Sequence, residues 1–241
     1  MRTIYSIILF LGTLSGCTKK AETIAITPAD TSHTATMPAT DSLTYLALGD
    51  SYTIGQSVPP AESFPFQLAA QLNGKDLKVK TPKIIATTGW ITDQLIAAIN
   101  NSDILNKKYD FVTLLIGVND QFGGYSQANY RTKFVQVLNT AITFANGDKS
   151  RVFVLSIPDY GVTPFAGGND VVIGPQIDQF NAINKDESAR AGVNYVDITD
   201  ISRLAANSPV LIANDGLHPS GSMYELWVNR LGPLVAASLK K

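Results

Sequence analysis

Five short apolar runs alternate with segments of helical periodicity from residue 43 to the end of the chain. The runs cover residues 43–47, 77–85, 111–116, 151–157 and 193–198, and the helical segments between and after them cover 63–72, 92–100, 127–145, 176–191 and 220–239. Apolar runs of this length are typical of buried strands, and a strand–helix alternation is typical of parallel sheets. The sequence therefore predicts one α/β domain with a doubly wound, mostly parallel, five-stranded sheet and helices on both faces.

The first apolar run ends in Gly49, Asp50 and Ser51, and we predict that a long polar loop follows at residues 53–62. In open α/β sheets, ligands bind at the carboxyl ends of the strands. A serine at such an end, beside a glycine that lets the backbone turn sharply, is well placed to act as a nucleophile. Taken alone, a Gly-Asp-Ser tripeptide more often only caps a turn, and the other segments of the site favour the nucleophile.

A serine hydroxyl needs a base before it can attack, and His218 is the one histidine of the predicted domain. The other histidine, His33, falls in a polar segment that we predict to be a linker. Asp215 stands three residues before His218, in a turn with Gly216. At this spacing a carboxylate can orient the imidazole and stabilise its protonated form, although Asp215 could also only cap a turn.

Three further groups could stabilise a negatively charged oxygen that develops during a reaction. They are the backbone N–H groups of Ser51 and Gly89 and the side-chain amide of Asn119. Gly89 and Asn119 each follow a predicted strand, and each could also be an ordinary turn residue. Together with Ser51, His218 and Asp215 they complete a nucleophile, a base, an orienting acid and an oxyanion hole.

These residues resemble the four sequence blocks of the SGNH hydrolases, also called GDSL-type esterases and lipases. The matching blocks stand in family order over about residues 43–238: Gly49-Asp50-Ser51-Tyr52, Gly89, Gly117-Val118-Asn119-Asp120, and Asp215-Gly216-Leu217-His218-Pro219. The resemblance implies a single three-layer α/β/α domain with a flavodoxin-like sheet. It also implies ester hydrolysis through an acyl-enzyme, without a metal or other cofactor.

The resemblance carries a role over to each matching residue. Ser51 corresponds to the nucleophile, His218 to the base and Asp215 to its partner. Gly89 and Asn119 correspond to oxyanion-hole residues, together with the Ser51 amide. Tyr52 departs from the leucine usual in the family, a difference that bears on the shape of the substrate site and not on the chemistry.

The first 42 residues are typical of an export signal followed by a tether. Arg2 precedes an apolar stretch at residues 4–14, too short to span a bilayer comfortably, and Cys17 follows a pair of small residues. This resembles the bacterial lipobox and predicts a signal peptide at 1–16, a lipidated Cys17 and a flexible tether to residue 42. The protein would then be an exported lipoprotein anchored to a membrane of the bacterial cell envelope. An ordinary cleaved signal with a free cysteine is the alternative.

Composition excludes several classes of function. The 19 basic and 20 acidic residues give a net charge of −1 with no basic stripe, so nucleic-acid binding has no electrostatic support. A single cysteine rules out an intramolecular disulfide and zinc sites built on cysteine pairs. The acids are scattered and offer no metal cluster. We expect a monomer, although the sequence does not determine the oligomeric state.

Aromatic residues in or beside the strand-end loops are candidate substrate contacts: Tyr52, Trp90, Phe122, Tyr125, Tyr160 and Phe165. They could line an acyl pocket, stack on a sugar or simply anchor the loops. The loops are short and glycine-rich, with no large apolar insertion that could form a lid, so we expect a small-molecule or glycan ester as substrate. The leading hypothesis is a general serine esterase, and the runner-up is a carbohydrate O-deacetylase with the same catalytic residues. A tethered binding module without turnover, and an acyltransferase to a sugar hydroxyl, remain as alternatives.

Overall fold

The computed structural model describes residues 42–240, which form an α/β/α domain around a five-stranded, all-parallel sheet. The strands are β1 (Tyr45–Gly49), β2 (Lys83–Ala86), β3 (Phe111–Leu115), β4 (Val152–Leu155) and β5 (Asn194–Val196). Their order in the sheet is β2-β1-β3-β4-β5, the flavodoxin-like order. The predicted fold class is confirmed.

Eight α-helices follow in the same region: α1 (Ser51–Ile54), α2 (Phe64–Asn73), α3 (Thr92–Asn100), α4 (Val118–Phe122), α5 (Gln127–Phe144), α6 (Asp170–Ala191), α7 (Thr199–Arg203) and α8 (Gly221–Leu239). The five longer helices form two groups. Helix α2 packs against α8, while α5 contacts both α3 and α6. The two groups cover the sheet as the outer layers of the sandwich.

The three central strands are buried along their whole length, which explains why they are so apolar. In the register, Ala47 of β1 lies between Ile84 of β2 and Thr113 of β3. Thr113 is the polar member of the β3 run, and its hydroxyl bonds to the Tyr45 hydroxyl at 2.8 Å. Because all five strands are parallel, their carboxyl ends lie at the same edge of the sheet.

The second strand is shorter than the predicted run at residues 77–85. Pairing along β2 starts only at Lys83, and the earlier part contributes one isolated bridge between Val79 and Leu43. Pro82 separates the two parts. Because proline has no backbone N–H to donate, it interrupts a strand ladder.

Two helix boundaries also differ from the predictions. The loop predicted at 53–62 contains the end of α1 and a 3₁₀ turn at Pro60–Glu62. Helix α6 begins at Asp170, so the predicted start of this helix at residue 176 is wrong by six residues. Pro175 lies near the start of α6, and the buried side chains of Ile173 and Ile177 on either side of it hold the helix against the core.

The predicted signal segment, Cys17 and nearly all of the tether lie outside the described residues. Between residues 42 and 240, no helix combines the length and the apolar character needed to cross a bilayer.

Candidate active site

Four loops at the carboxyl edge of the sheet bring the predicted site residues to one cavity. Ser51 begins α1 after β1, Gly89 follows β2, and Asn119 lies in α4 after β3. His218 comes from the loop before α8. All four line the same cavity, which has a volume of about 130 Å³. These residues are far apart in sequence, so the fold itself assembles the group.

Gly49 makes the turn into α1 possible. A Cβ atom at this position would lie 2.1 Å from the Thr53 hydroxyl and 2.3 Å from the Leu115 carbonyl oxygen. An oxygen of the Asp50 carboxyl group then caps α1 by accepting a hydrogen bond from the Tyr52 N–H at 3.0 Å. The result is a sharp strand-to-helix turn that leaves Ser51 on the cavity wall, only 4% exposed.

The Asp215 carboxylate faces the imidazole of His218. Its Oδ2 atom lies 2.5 Å from Nδ1 of His218, and its Oδ1 atom accepts hydrogen bonds from the backbone N–H groups of Leu217 and His218, both at 3.0 Å. The Ser57 hydroxyl donates a further hydrogen bond to Oδ2 at 2.7 Å. Burial acts to raise the pKa of the Asp215 carboxyl, but these hydrogen bonds outweigh it and hold that pKa well below its usual range. Asp215 is therefore ionised across the neutral pH range.

His218 also packs against Tyr52. The two rings lie 5.4 Å apart between centroids, and Tyr52 in turn packs against Trp227. The Tyr52 carbonyl accepts a hydrogen bond from the Tyr224 hydroxyl at 3.0 Å. In the described part of the chain, residues 42–240, no hydrogen bond joins the Ser51 hydroxyl to His218. The hydrogen bond between a catalytic group and its partner is often long or poorly aligned before substrate binds.

The two candidate donor residues after β2 and β3 both line the cavity. Gly89 has φ 80°, a left-handed conformation that glycine adopts freely, and no other atom lies within 4 Å of where a Cβ would stand. The Asn119 Nδ2 atom donates one hydrogen to the Trp90 carbonyl at 3.0 Å. A side-chain amide nitrogen carries two hydrogens, so the second one remains for a ligand.

Two buried acids brace these loops. Asp120 Oδ2 accepts hydrogen bonds from the N–H and the hydroxyl of Thr92, the first residue of α3. Burial raises the pKa of Asp120, and burial together with the nearby Asp120 charge raises the pKa of Asp50 to about 8.

The mouth of the cavity is aromatic. The rings of Phe122, Tyr160 and Phe165 lie 6.1 to 6.4 Å from one another between centroids. Tyr160 is buried, whereas Phe122 and Phe165 are 62% and 53% exposed. Tyr52, Thr88, Val118 and Leu217 complete the wall.

The structure places two of the predicted substrate contacts elsewhere. Trp90 packs partly buried against the core, with its carbonyl bound to Asn119. Tyr125 lies over a separate groove with Gln121 and Gln176. Trp90 follows the end of β2 closely and Tyr125 follows the end of α4 closely, but proximity in sequence does not determine the direction of a loop side chain.

Sequence reasoning missed Ser57, Thr88 and Leu217. Ser57 lies 158 residues from the carboxylate that it contacts, and the sequence around it gives no signal of that contact. Thr88 and Leu217 are neighbours of Gly89 and His218, so adjacency to the predicted residues could have indicated them.

Residues 47–226 match the model of the GDSL-like lipase/acylhydrolase family. No match is found among curated protein sequences.

Solved structures with the same fold share little sequence with the chain. A putative GDSL-like lipase from Parabacteroides merdae is 21% identical over 80% of this chain and 95% of its own, with a TM-score of 0.65. A lipase/acylhydrolase from Enterococcus faecalis is 20% identical over 82% and 95%, with a TM-score of 0.61. A variant of an acetyl-xylooligosaccharide esterase from Geobacillus stearothermophilus is 17% identical over 83% and 95%, also with a TM-score of 0.61.

Proposed function

The chain belongs to the GDSL-like lipase/acylhydrolase family, and on that premise we propose that it hydrolyses carboxylic esters through an acyl-enzyme on Ser51. The observation that carries the proposal is the shared cavity of Ser51 and His218, with the Asp215 carboxylate 2.5 Å behind the imidazole. A binding module would need no such arrangement. The arrangement has the parts that nucleophilic acyl transfer requires.

In the proposed acylation step, the Ser51 oxygen attacks the ester carbonyl while Nε2 of His218 removes the hydroxyl proton. Asp215 accepts a hydrogen bond from Nδ1, which fixes the tautomer that leaves Nε2 free to act as a base. The ionised carboxylate also stabilises the imidazolium that forms. His218 then gives the proton to the departing alkoxide, and the carbonyl carbon remains bound to Ser51.

The negative charge on the carbonyl oxygen is stabilised by neutral donors. In the proposal these are the N–H groups of Ser51 and Gly89 and the free amide hydrogen of Asn119. Such fixed donors need no reorganisation as charge develops, which makes their contribution to catalysis large. In the second step, His218 activates a water molecule that attacks the acyl carbon and releases the acid.

The proposed reaction uses no metal ion or other cofactor. The imidazole supplies the base, and amide donors stabilise the oxyanion, so each chemical role has a side chain or backbone group of this chain. Among residues 42–240, no three histidine, cysteine or acidic residues are grouped as ligands for a metal would be. We expect a chelator to leave the rate unchanged.

A carbohydrate O-deacetylase is the second candidate, because the cavity is small and its mouth is aromatic. A volume of about 130 Å³ suits a short acyl group. The exposed faces of Phe122 and Phe165 provide a surface on which a sugar ring can stack. The acetyl-xylooligosaccharide esterase that shares the fold has an acetylated sugar as its named substrate, which adds weight to this candidate.

Two further predictions complete the proposal. The protein acts as a monomer on a small-molecule or glycan ester, and Cys17 carries a lipid that anchors it to the envelope membrane. Incorporation of labelled fatty acid that is lost in Cys17→Ala would support the anchor, whereas equal labelling of the variant would contradict it.

The proposed function is tested by hydrolysis of p-nitrophenyl esters from acetate to palmitate, beside acetylated xylo-oligosaccharides. We expect activity in the wild type and in Ser150→Ala, which changes an exposed serine before β4, and almost none in Ser51→Ala. A maximum at acetate, with release of acetate from the glycan, favours the deacetylase. A maximum at medium or long chains favours a lipase-type acylhydrolase. Full activity in Ser51→Ala, or a folded protein without activity on any ester, contradicts the proposal.

A further inference from the structure

The loop at residues 55–58, directly after α1, contacts both sides of the cavity. Its first two backbone N–H groups, those of Gly55 and Gln56, donate to the Ser51 carbonyl. The Ser57 hydroxyl donates to Asp215, and the Gln56 side-chain oxygen accepts a hydrogen bond from the Thr88 hydroxyl at 2.6 Å. The 55–58 loop therefore connects the nucleophile turn to the acid loop and to the residue before Gly89.

Ser57 shares one carboxylate oxygen with the imidazole. Oδ2 of Asp215 accepts from the Ser57 hydroxyl at 2.7 Å and lies 2.5 Å from Nδ1 of His218. The other oxygen, Oδ1, is occupied by two backbone N–H groups. Because the Asp215 side chain is 30% exposed, water can compete for Oδ2 unless a fixed donor occupies its open side.

The backbone of Ser57, which carries this hydroxyl, has a strained conformation. Its φ is 68°, in the left-handed region that side chains other than glycine adopt rarely. Within residues 42–240, only Asp76 and Asn146 share this feature among non-glycine residues. A glycine at position 57 would relieve the strain, and it would also remove the hydroxyl. Strain of this kind is often found where a side chain has a functional role.

We propose that Ser57 is a positioning residue for the reaction, which holds the Asp215 carboxylate in the plane that His218 requires. The inference rests on the proposed function. Ser57 touches neither the substrate nor the reacting atoms, and it acts through Asp215. With the hydroxyl in place, the imidazole keeps one orientation towards Ser51; without it, the carboxylate rotates towards water and the imidazole follows.

Three substitutions separate the hydroxyl from the backbone strain: Ser57→Gly, Ser57→Ala and Ser57→Thr. Glycine removes the hydroxyl and relieves the strain, alanine removes the hydroxyl and keeps the strain, and threonine keeps the hydroxyl with a β-branched side chain that adds to the strain. We would measure kcat and KM for p-nitrophenyl acetate, together with the melting temperature of each variant.

If Ser57 positions Asp215, kcat depends on whether the hydroxyl is present, and the melting temperature depends on the backbone strain. We expect kcat to fall about tenfold in Ser57→Gly and Ser57→Ala, with KM within about twofold of the wild type, and to stay within about threefold in Ser57→Thr. Ser57→Gly should melt no lower than the wild type, and Ser57→Thr should melt lower. Asn146→Gly, which relieves the same backbone conformation at the opposite edge of the sheet, should leave kcat unchanged.

The proposal is overturned if Ser57→Gly keeps the wild-type kcat, or if kcat follows the melting temperature across the three variants. Ser51→Ala, measured in parallel, keeps the two claims apart. An inactive Ser51→Ala with a fully active Ser57→Gly contradicts the positioning role alone. An active Ser51→Ala contradicts the proposed function itself.

Discussion

The Asp120 carboxylate accepts two hydrogen bonds from Thr92, one from its backbone N–H at 3.0 Å and one from its hydroxyl at 2.9 Å. Thr92 begins α3, three residues after Gly89, and Asp120 follows Asn119 in α4. The two proposed oxyanion donors thus lie on loops that a buried acid joins. The relative position of the donors depends on this acid as much as on the sheet.

Replacement of Asp120 by alanine should therefore weaken both the fold and the site. The change leaves two buried donors of Thr92 without a partner, and we expect a loss of about 2–4 kcal/mol in the free energy of unfolding. Urea denaturation measures this loss. Asp93→Ala serves as the control, because Asp93 forms an exposed ion pair with Lys133 and should change stability by at most about 1 kcal/mol. Equal losses in the two variants would contradict the bracing role.

Asn119→Ala should lower kcat by about 10²–10³-fold with little change in KM, because an oxyanion donor acts mainly in the transition state. Steady-state kinetics on p-nitrophenyl acetate tests this. Asn129→Ala, at an exposed position early in α5, should behave as the wild type. A large rise in KM with kcat retained would assign Asn119 to substrate binding instead.

The buried Asp50 should make stability depend on pH. Its folded-state pKa of about 8 lies above the ordinary value of 3.8, so between these values the folded protein keeps a proton that the unfolded chain releases. Stability is therefore full below about pH 4 as far as Asp50 is concerned, and it declines as the pH rises towards 8. Asp120, with a raised pKa, adds to the same trend. The lowered pKa of Asp215 acts in the opposite direction, but only below about pH 4.

Urea unfolding at pH 5 and pH 8 measures this trend. The wild type should be less stable at pH 8, and Asp50→Asn should show a clearly smaller difference, since asparagine does not titrate and still accepts a hydrogen bond from the Tyr52 N–H. Asp76→Asn, at an exposed site, should keep the wild-type difference. If Asp50→Asn and the wild type lose the same stability between pH 5 and pH 8, Asp50 is not the source of the pH dependence.

Two glycines of the site should tolerate alanine very differently. Gly49→Ala places a methyl group against the Leu115 carbonyl and the Thr53 hydroxyl, and we expect a loss of about 3 kcal/mol or more. Gly89→Ala meets no atom within 4 Å and adds only the strain of φ 80°, about 1–2 kcal/mol. Melting temperatures rank the two variants, and a Gly89→Ala protein less stable than Gly49→Ala would contradict the geometry.

The sequence predicted the sheet well because its central strands are buried on both faces. Runs such as Phe111–Leu115 contain almost no polar residue, and this pattern depends little on context. The boundaries of β2 and α6 were less predictable. Pro82 interrupts the strand ladder, whereas Pro175 is accommodated inside a helix, so the effect of each proline depends on the packing around it.

The sequence indicated those residues of the candidate site that belong to sequence blocks. It did not indicate contacts that depend on the tertiary fold. Ser51, Gly89, Asn119 and His218 stand in motifs and do line one cavity. The contact between Ser57 and Asp215 joins loops 158 residues apart, and no local pattern encodes it. Trp90 and Tyr125 lie in the expected loops, but the packing of those loops turns them away from the cavity.

The most direct test of the account is covalent labelling with a fluorophosphonate ester, followed by mass spectrometry of the intact protein and its peptides. Such a reagent phosphonylates a serine that a neighbouring base activates, with loss of fluoride. We predict one added phosphonyl group, located on Ser51 and absent from Ser51→Ala, with much slower labelling in His218→Ala. A label on another residue, or full ester hydrolysis by a protein that remains unlabelled, would contradict the assignment of Ser51 as the nucleophile.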